Sequence, residues 1–418
     1  MKGLRAFVAL FLASGILRGY SVLSHEAIID ASWKDSIQPL LLKRFPQATP
    51  DDLQHARAYA YGGCIIQDMG YYPFGSRFFS DLVHYVRSGD FVADLIRESQ
   101  DIREYAFALG SLAHYAADST GHPLGVNTSV ALLYPKLRKK FGPMVTYEDS
   151  PAAHLRVEFG FDVIEVAGGH YAPAAYHDYI GFEVSQRLLE ASIRNVYGLD
   201  VTDIFSDIDL SIGSYRFAVR TLLPEATKVA WVLDKDEIRR AEPSMTRARF
   251  LYSLSRSGYE REWGRQYRRP GIGARILAFL FRILPKVGPL GAFSLKPPTP
   301  ATETTFMASF NATLARYRHL LADTGTGRPH FDNLNLDTGK PTRPGEYRLA
   351  DDTYSKLART LADGHFAAAT APLENDILSF FANPEGPIAT RRNRRAWRDT
   401  VRAIDEMKQT DGALPVAH

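Results

Sequence analysis

The chain has 418 residues, of which 45% are hydrophobic, so it is long enough to bury a substantial core and too apolar to be disordered. A formal net charge of +3 gives no reason to expect a specific nucleic acid partner. The single cysteine, Cys64, excludes disulfide frameworks and cysteine-rich zinc sites, so any metal would be held by histidine and carboxylate side chains.

The first 19 residues are typical of a secretory leader. Lys2 and Arg5 precede the apolar run 6–13, which is too short to span a bilayer. Cleavage after Gly19 would give a mature chain that begins at Tyr20, and the alternative is a retained N-terminal anchor. We therefore expect an exported protein, periplasmic or secreted, or one anchored to a membrane through its N-terminus.

Helical patterning dominates the region from about residue 51 to 198. Apolar residues recur there at helical spacing between glycine and proline interruptions, and no stretch alternates for long as a strand would. The pattern predicts an all-α fold, built as an antiparallel helical assembly whose inward faces carry polar side chains.

One helix in this region carries the strongest chemical signal. His114, Asp118 and His122 are four residues apart, so all three side chains leave the helix on one face. Small and apolar neighbours predict that this face is buried, and buried polar groups need a compensating partner. A lone histidine there would more often be a satisfied core residue. Three metal-type residues at successive turns favour a metal site.

Further metal-type side chains lie on both sides of this helix. His25 can stand at a helix start, Asp68 follows a helix end, and His84 has apolar helical neighbours. His154 and Glu158 repeat the four-residue spacing, although alone they would more often be a solvated surface pair. Together these residues extend the predicted metal cluster.

Such a ligand set suits hydrolysis. Zinc held by histidine and carboxylate with one open position lowers the pKa of bound water from about 15.7 towards about 7. Two metal ions about 3.5 to 4 Å apart can hold both the attacking and the leaving oxygen of a phosphodiester. Asp118 is the residue that we assign to bridging two ions.

The order and spacing of these motifs resemble a known family, the zinc-dependent phospholipases C, together with the single-strand-specific nucleases of the same fold. The resemblance covers roughly residues 20–199. It is carried by Tyr20-Ser-Val-Leu-Ser-His25, Asp68-Met-Gly-Tyr-Tyr-Pro, Asp81-Leu-Val-His84, His114-Tyr-Ala-Ala-Asp118-Ser-Thr-Gly-His122 and His154-Leu-Arg-Val-Glu158.

The resemblance implies a mostly helical domain that holds up to three zinc ions. One ion would be bound by Asp68, His84, His114 and Asp118, the second by Asp118, His25 and Tyr20 as the mature N-terminal residue, and the third by His122, His154 and Glu158. Asp68 is also the candidate catalytic base. Two features depart from the family: Tyr20 stands where tryptophan is usual, and the four-residue spacing from Asp118 to His122 is shorter than in its type members.

Tyr71, Tyr72 and Phe74 near Asp68 are the candidate substrate-binding residues, as a stacking platform for bases or as a cation–π partner for choline. The expected function is zinc-dependent phosphodiester hydrolysis, with phospholipid headgroup release as the first choice. A secreted single-strand nuclease is the second choice, and a non-catalytic, metal-containing helical binding protein is the third. Glu158, where the nucleases generally have aspartate, favours the phospholipase.

The later part of the chain carries weaker signals. We place the catalytic domain at residues 20–235 and a mostly helical region of unknown role at residues 236–418. Residues 272–295 form either a buried helix or an interfacial segment with basic flanks that contacts a membrane surface. Residues 325–348, rich in glycine, proline, asparagine and aspartate, are predicted to form a long loop that edges the substrate cleft.

Overall fold

The computed structural model describes residues 22–162, 182–219, 296–325 and 329–411, with the isolated residues 231, 235, 236, 239, 240 and 246. Its first half is helical: α1 (Val22–Ser32), α2 (Gln38–Arg44), α3 (Pro50–Ile65), α4 (Arg77–Tyr85), α5 (Ser88–Glu98), α6 (Ile102–Gly121), α7 (Asn127–Leu133), α8 (Pro135–Phe141), α9 (Pro151–Phe161), α10 (Gln186–Tyr197), α11 (Val201–Ile204) and α12 (Ile208–Phe217). A π-helical turn, Trp33–Ile37, separates α1 from α2, and a 3-10 turn, Ile66–Tyr71, follows α3.

The described C-terminal part is also helical: α13 (Pro300–Thr324), α14 (Arg348–Asp363), α15 (Ala371–Phe380), a 3-10 turn (Ala389–Arg392) and α16 (Arg394–Asp411). Within the described ranges, β structure is confined to the short antiparallel pair β1 (Leu334–Asn335) and β2 (Lys340–Pro341). The predicted all-α fold is confirmed. None of the described helices is long and apolar enough to cross a bilayer.

Helices α3 and α6 pack closely because glycine occurs at their contact. A Cβ atom added to Gly63 would lie 1.9 Å from the carbonyl oxygen of Phe107, and one added to Gly110 would lie 2.1 Å from that of Ala60. Only glycine permits such an approach of two backbones. Asp101 caps the start of α6, where its carboxylate accepts hydrogen bonds from two backbone N–H groups. The predicted metal face itself contacts α3 through His114, whose Nδ1 atom lies 2.9 Å from the carbonyl oxygen of Cys64.

Helix α6 ends in a π-helical turn, His122–Val126. Pro123 has no N–H group to donate, so the α-helical hydrogen-bond ladder cannot continue through it. The turn closes instead with a hydrogen bond from the N–H of Asn127 to the carbonyl of His122. Such π turns are frequent at functional sites. This one sets the position of His122 at the end of the helix.

The C-terminal helix α13 packs into the same hydrophobic core as the N-terminal helices. Phe306 is buried and its ring stacks on that of Phe161 with centroids 4.2 Å apart. The hydroxyl of buried Tyr317 donates to the carbonyl of Leu109 in α6 at 2.9 Å. The boundary at residue 235 stays a prediction. The leader, Tyr20 and residues 272–295 lie outside the described residues.

Candidate metal centre

All eight predicted ligands within the described part of the chain are buried and lie in three groups that could each hold a metal ion. Within each group the potential ligand atoms lie within 4.8 Å of one another. The groups are His25, His114 and Asp118; Asp68, His84 and His114; and His122, His154 and Glu158. Residues from distant motifs are therefore brought together, as the sequence predicted. Their roles as ligands stay predictions.

Asp118 lies at the centre of the assembly. Its Oδ1 atom lies 3.5 Å from Nε2 of His25 and 3.4 Å from Nε2 of His122. Its Oδ2 atom lies 3.1 Å from Nε2 of His114 and 3.3 Å from Nε2 of His84. Neither oxygen accepts a hydrogen bond of normal geometry from a described residue. A fully buried carboxylate with imidazoles on both oxygens is placed as a bridging ligand would be.

The group around His84 and His114 has the polarity of a cation site. The backbone carbonyl of Ser80 lies 2.7 Å from Nδ1 of His84, and that of Cys64 lies 2.9 Å from Nδ1 of His114. A carbonyl only accepts, so both Nδ1 atoms donate, and in the neutral rings each Nε2 atom keeps its lone pair. The Nε2 atoms of His84 and His114 are 3.3 Å apart. The Oδ1 atom of Asp68 lies 3.5 Å from Nε2 of His84. A metal ion between these acceptors would satisfy them, and backbone carbonyls would orient both ligands.

His25 completes the adjacent group from helix α1. Its ring is fully buried and stacks on that of His114, with centroids 4.3 Å apart. Burial, reinforced by the neighbouring imidazoles, holds the pKa of His25 well below its usual value, so the ring is neutral and able to bind metal.

Asp162 fixes the start of the helix that carries His25, and sequence reasoning missed this residue. Its carboxylate accepts hydrogen bonds from the backbone N–H groups of Leu23 at 2.8 Å and Ser24 at 3.1 Å. The hydroxyl of Ser24 also donates to it, at 2.5 Å. The sequence offered no signal for this contact, because 138 positions separate Ser24 from Asp162.

The third group forms despite the short spacing between Asp118 and His122. Nε2 of His122 lies 3.6 Å from Oε1 of Glu158, and Nδ1 of His154 lies 2.9 Å from the same atom. Neither oxygen of Glu158 accepts a hydrogen bond of normal geometry from the described residues. Burial raises the pKa of Glu158 against the opposing effect of His154. These acceptors also suit a cation.

Asp337 is a further carboxylate at this group that was not among the predicted site residues. Its Oδ1 atom lies 3.1 Å from Nδ1 of His122 and 3.5 Å from Nε2 of His154. It lies just after β1, within the segment predicted to form a loop at the edge of the cleft. The many polar residues of segment 325–348 predicted a loop near the site, but they did not single out Asp337.

A narrow cavity opens beside the three groups. Its wall contains Asp68, His84, His122, His154, Glu158 and Asp337 together with the tyrosines Tyr71, Tyr85 and Tyr147. The structure separates the three predicted substrate-binding residues. Tyr71 lines the cavity, whereas Tyr72 is buried against Tyr215 with ring centroids 4.3 Å apart, and Phe74 is 54% exposed. Their role in substrate binding stays a prediction.

The pKa values describe the cluster without metal. Burial alone would lower the pKa of His84, but the carboxylates of Asp118 and Asp68 outweigh it and raise the pKa to about 10. Burial would also lower the pKa of His154, but Glu158 and Asp337 outweigh it and raise that pKa to about 10. Without metal, protons therefore take the positions between the acceptors.

Comparison with known proteins agrees with this arrangement. Residues 24–205 match the model of a family described as zinc dependent phospholipase C. The match covers less than half of the chain and includes all eight residues of the three groups. No curated protein and no solved structure matches the chain.

Proposed function

We propose that this chain, whose residues 24–205 belong to the zinc-dependent phospholipase C family, hydrolyses the headgroup phosphodiester of phospholipids with zinc held at the three buried groups. The observation that carries the proposal is the convergence of buried acceptor atoms around Asp118 beside a cavity walled by tyrosine. Several carboxylate oxygens of these groups are buried and accept no hydrogen bond of normal geometry from the described residues, and a metal ion would compensate their charge.

Each group would hold one ion. His84, His114, Asp68 and Asp118 would hold the first, His25 and Asp118 with the mature N-terminal residue the second, and His122, His154 and Glu158 the third. Zinc bound there would lower the pKa of a bound water and neutralise charge on the phosphate oxygens.

Asp68 is our candidate for the group that takes a proton from the attacking water. It lies in the cavity wall, and Oδ1 of its buried carboxylate accepts no hydrogen bond of normal geometry from the described residues. Burial raises the pKa of Asp68 above that of an ordinary aspartate, despite the opposing effect of His84. This direction applies to the metal-free cluster, and zinc binding would reduce the basicity of the carboxylate, so the role as base rests on the position of Asp68 in the cavity wall.

The central experiment compares two substrates. Zinc-loaded protein should release headgroups from phosphatidylcholine vesicles, and Asp68→Asn should reduce the rate by at least about 100-fold, the lower range for a lost general base. Single-stranded DNA assayed in parallel should be cut poorly. Preferential cleavage of DNA would replace the proposal with the nuclease. Inactivity on both substrates with zinc fully bound would indicate a structural metal site.

We also propose that the protein is exported and begins at Tyr20. The leader-like sequence supports this, and a free α-amino group, with a pKa of about 7.7 to 8.0, could bind the ion beside His25 where a peptide nitrogen could not. Mass spectrometry of exported protein should find Tyr20 at the N-terminus. A fully active exported protein that begins elsewhere would contradict the mechanism.

Contact with a membrane surface is a further part of the proposal. It rests on the apolar residues of segment 272–295 and their basic neighbours in the sequence. Replacing Phe279 and Phe281 by serine should weaken vesicle binding and spare hydrolysis of a soluble phosphodiester. If the variant unfolds instead, the segment is a core helix.

A further inference from the structure

We infer that Asp337 is a positioning residue that orients His122 and His154 towards the third metal ion from outside the family-matched region. The inference rests on the proposed function, because it assigns a role relative to a bound zinc. It gives the C-terminal part of the chain a task at the site, since Asp337 lies well beyond the matched residues 24–205.

The contacts of Asp337 determine which nitrogen of each ring carries a proton. Its Oδ1 atom faces Nδ1 of His122 at 3.1 Å and Nε2 of His154 at 3.5 Å. A carboxylate only accepts, so it favours protonation of these two nitrogens. The other nitrogens, Nε2 of His122 and Nδ1 of His154, then keep their lone pairs, and both face Glu158 at 3.6 and 2.9 Å. Metal-binding histidines are oriented by carboxylates in this manner.

Asn127 supports the same assignment at His154. Its side-chain amide donates to the backbone carbonyl of Asp337 at 2.8 Å, which leaves the amide oxygen as an acceptor. That oxygen lies 2.7 Å from Nε2 of His154. The Nε2 atom of His154 therefore has two acceptors and no donor opposite it among these contacts, and its proton is fixed there.

Asp337 is itself held rigidly. Its Oδ2 atom accepts hydrogen bonds from the backbone N–H of Tyr147 at 2.9 Å and the hydroxyl of Tyr347 at 2.8 Å. Its own N–H donates to the side-chain oxygen of Asn335 at 3.0 Å, and the residue is 2% exposed. One oxygen is thus occupied by fixed donors, and the other is aimed at the two imidazoles.

Asp337→Asn is the sharpest test, because the shape stays the same while one oxygen becomes an NH2 group. The donors of Tyr147 and Tyr347 require the remaining oxygen, so the new NH2 group would face the imidazole N–H groups. We expect one zinc of three to bind 10- to 100-fold more weakly, about the range for loss of such a partner, as measured by chelator competition with zinc analysis. The affinities for the other two zinc ions should be unchanged.

Asp351→Asn is the matched control. Asp351 is a buried aspartate of the same C-terminal region, and its carboxylate accepts from the backbone N–H groups of Gly345 and Ala389. It touches none of the three groups, so all three zinc affinities should stay as in the unmodified protein. Nitrogen NMR of the zinc-loaded unmodified protein should also show His122 protonated at Nδ1 and His154 at Nε2, which a merely structural Asp337 would not require.

The outcomes separate the inference from the proposed function. Equal affinity of Asp337→Asn for all zinc ions, with the protein folded, would overturn the inference and leave the function intact. Failure of the unmodified protein to bind zinc would overturn the proposed function and the inference with it. If Asp337→Asn does not fold, Tyr347→Phe, which removes one hydrogen bond to Asp337, should weaken the same zinc selectively. Unchanged affinity in that variant would overturn the inference.

Discussion

Each oxygen of Asp118 faces imidazole nitrogens at 3.1 to 3.5 Å, so we predict that two metal ions depend on this residue. Asp118→Asn should remove more than one equivalent of zinc. Loss of a residue that only orients a metal ligand lowers metal affinity or activity by about 10- to 100-fold. Loss of a bridging ligand should therefore lower activity by more than about 100-fold. Zinc analysis and headgroup release measure the two effects.

His122→Ala serves as the comparison for Asp118→Asn. His122 belongs to the third group, so this change should chiefly remove one zinc. Full activity of Asp118→Asn, or equal zinc loss in both variants, would show that Asp118 does not bridge.

The raised pKa values of His84 and His154, each about 10, predict that zinc displaces protons. Both folded values exceed the ordinary 6.5, so these protons stabilise the metal-free fold fully below pH 6.5, and this stability is lost as the pH rises towards 10. Zinc affinity should correspondingly increase with pH, about tenfold per unit for each displaced proton.

Chelator competition between about pH 6.5 and 8.5 checks the affinity, and urea unfolding of metal-free protein checks the stability. As the pH rises, zinc affinity should increase and the stability of the metal-free protein should decrease. An affinity that does not depend on pH in this range would mean that the metal-free histidines are already neutral.

The close contact between α3 and α6 holds the helix that carries His114 and Asp118. Gly110→Ala would favour an isolated helix by about 1 kcal/mol, but its Cβ would meet the carbonyl of Ala60 at 2.1 Å. We expect a net destabilisation of about 1 to 3 kcal/mol, the range for overpacking, measured by urea unfolding.

Gly364→Ala is the control for this substitution. The nearest atom to a Cβ at Gly364 would be 3.6 Å away, which is an ordinary contact. The free energy of unfolding of this variant should therefore change by less than about 0.5 kcal/mol. Equal effects at both positions would show that the close helix approach is not what requires Gly110.

The helices and five of the eight candidate ligands could be predicted from local spacing, whereas His25, Asp68 and His84 joined them through the order of motifs that resembles the family. The four-residue intervals in α6 and α9 place ligands on one helix face whatever the rest of the chain does. Asp162 and Asp337 act through contacts between distant residues, and no periodicity encodes such pairs. The π turn at His122 was also missed, because proline signals the end of an α-helix but not the conformation that follows it.

The predicted boundary at residue 235 can be tested directly. A chain that ends there lacks α13, whose Phe306 and Tyr317 fill the core beside α6 and α9, and it lacks Asp337. We expect this fragment to lose cooperative unfolding and to bind fewer zinc ions than the full chain, measured by circular dichroism and zinc analysis. A cooperatively folded fragment with a full zinc complement would show that residues 20–235 are an independent domain.

The hydrogen bond between His122 and Asp337 spans 215 positions, which places a condition on the order of events during synthesis. Contacts so distant in sequence form late, because a long loop must close before they contribute any energy. Before Asp337 is added, the nascent chain already contains His122, His154 and Glu158, the residues of the third group. It still lacks the carboxylate that orients the two imidazole rings. The centre would therefore mature in steps, with its last group completed only after most of the polypeptide has been made.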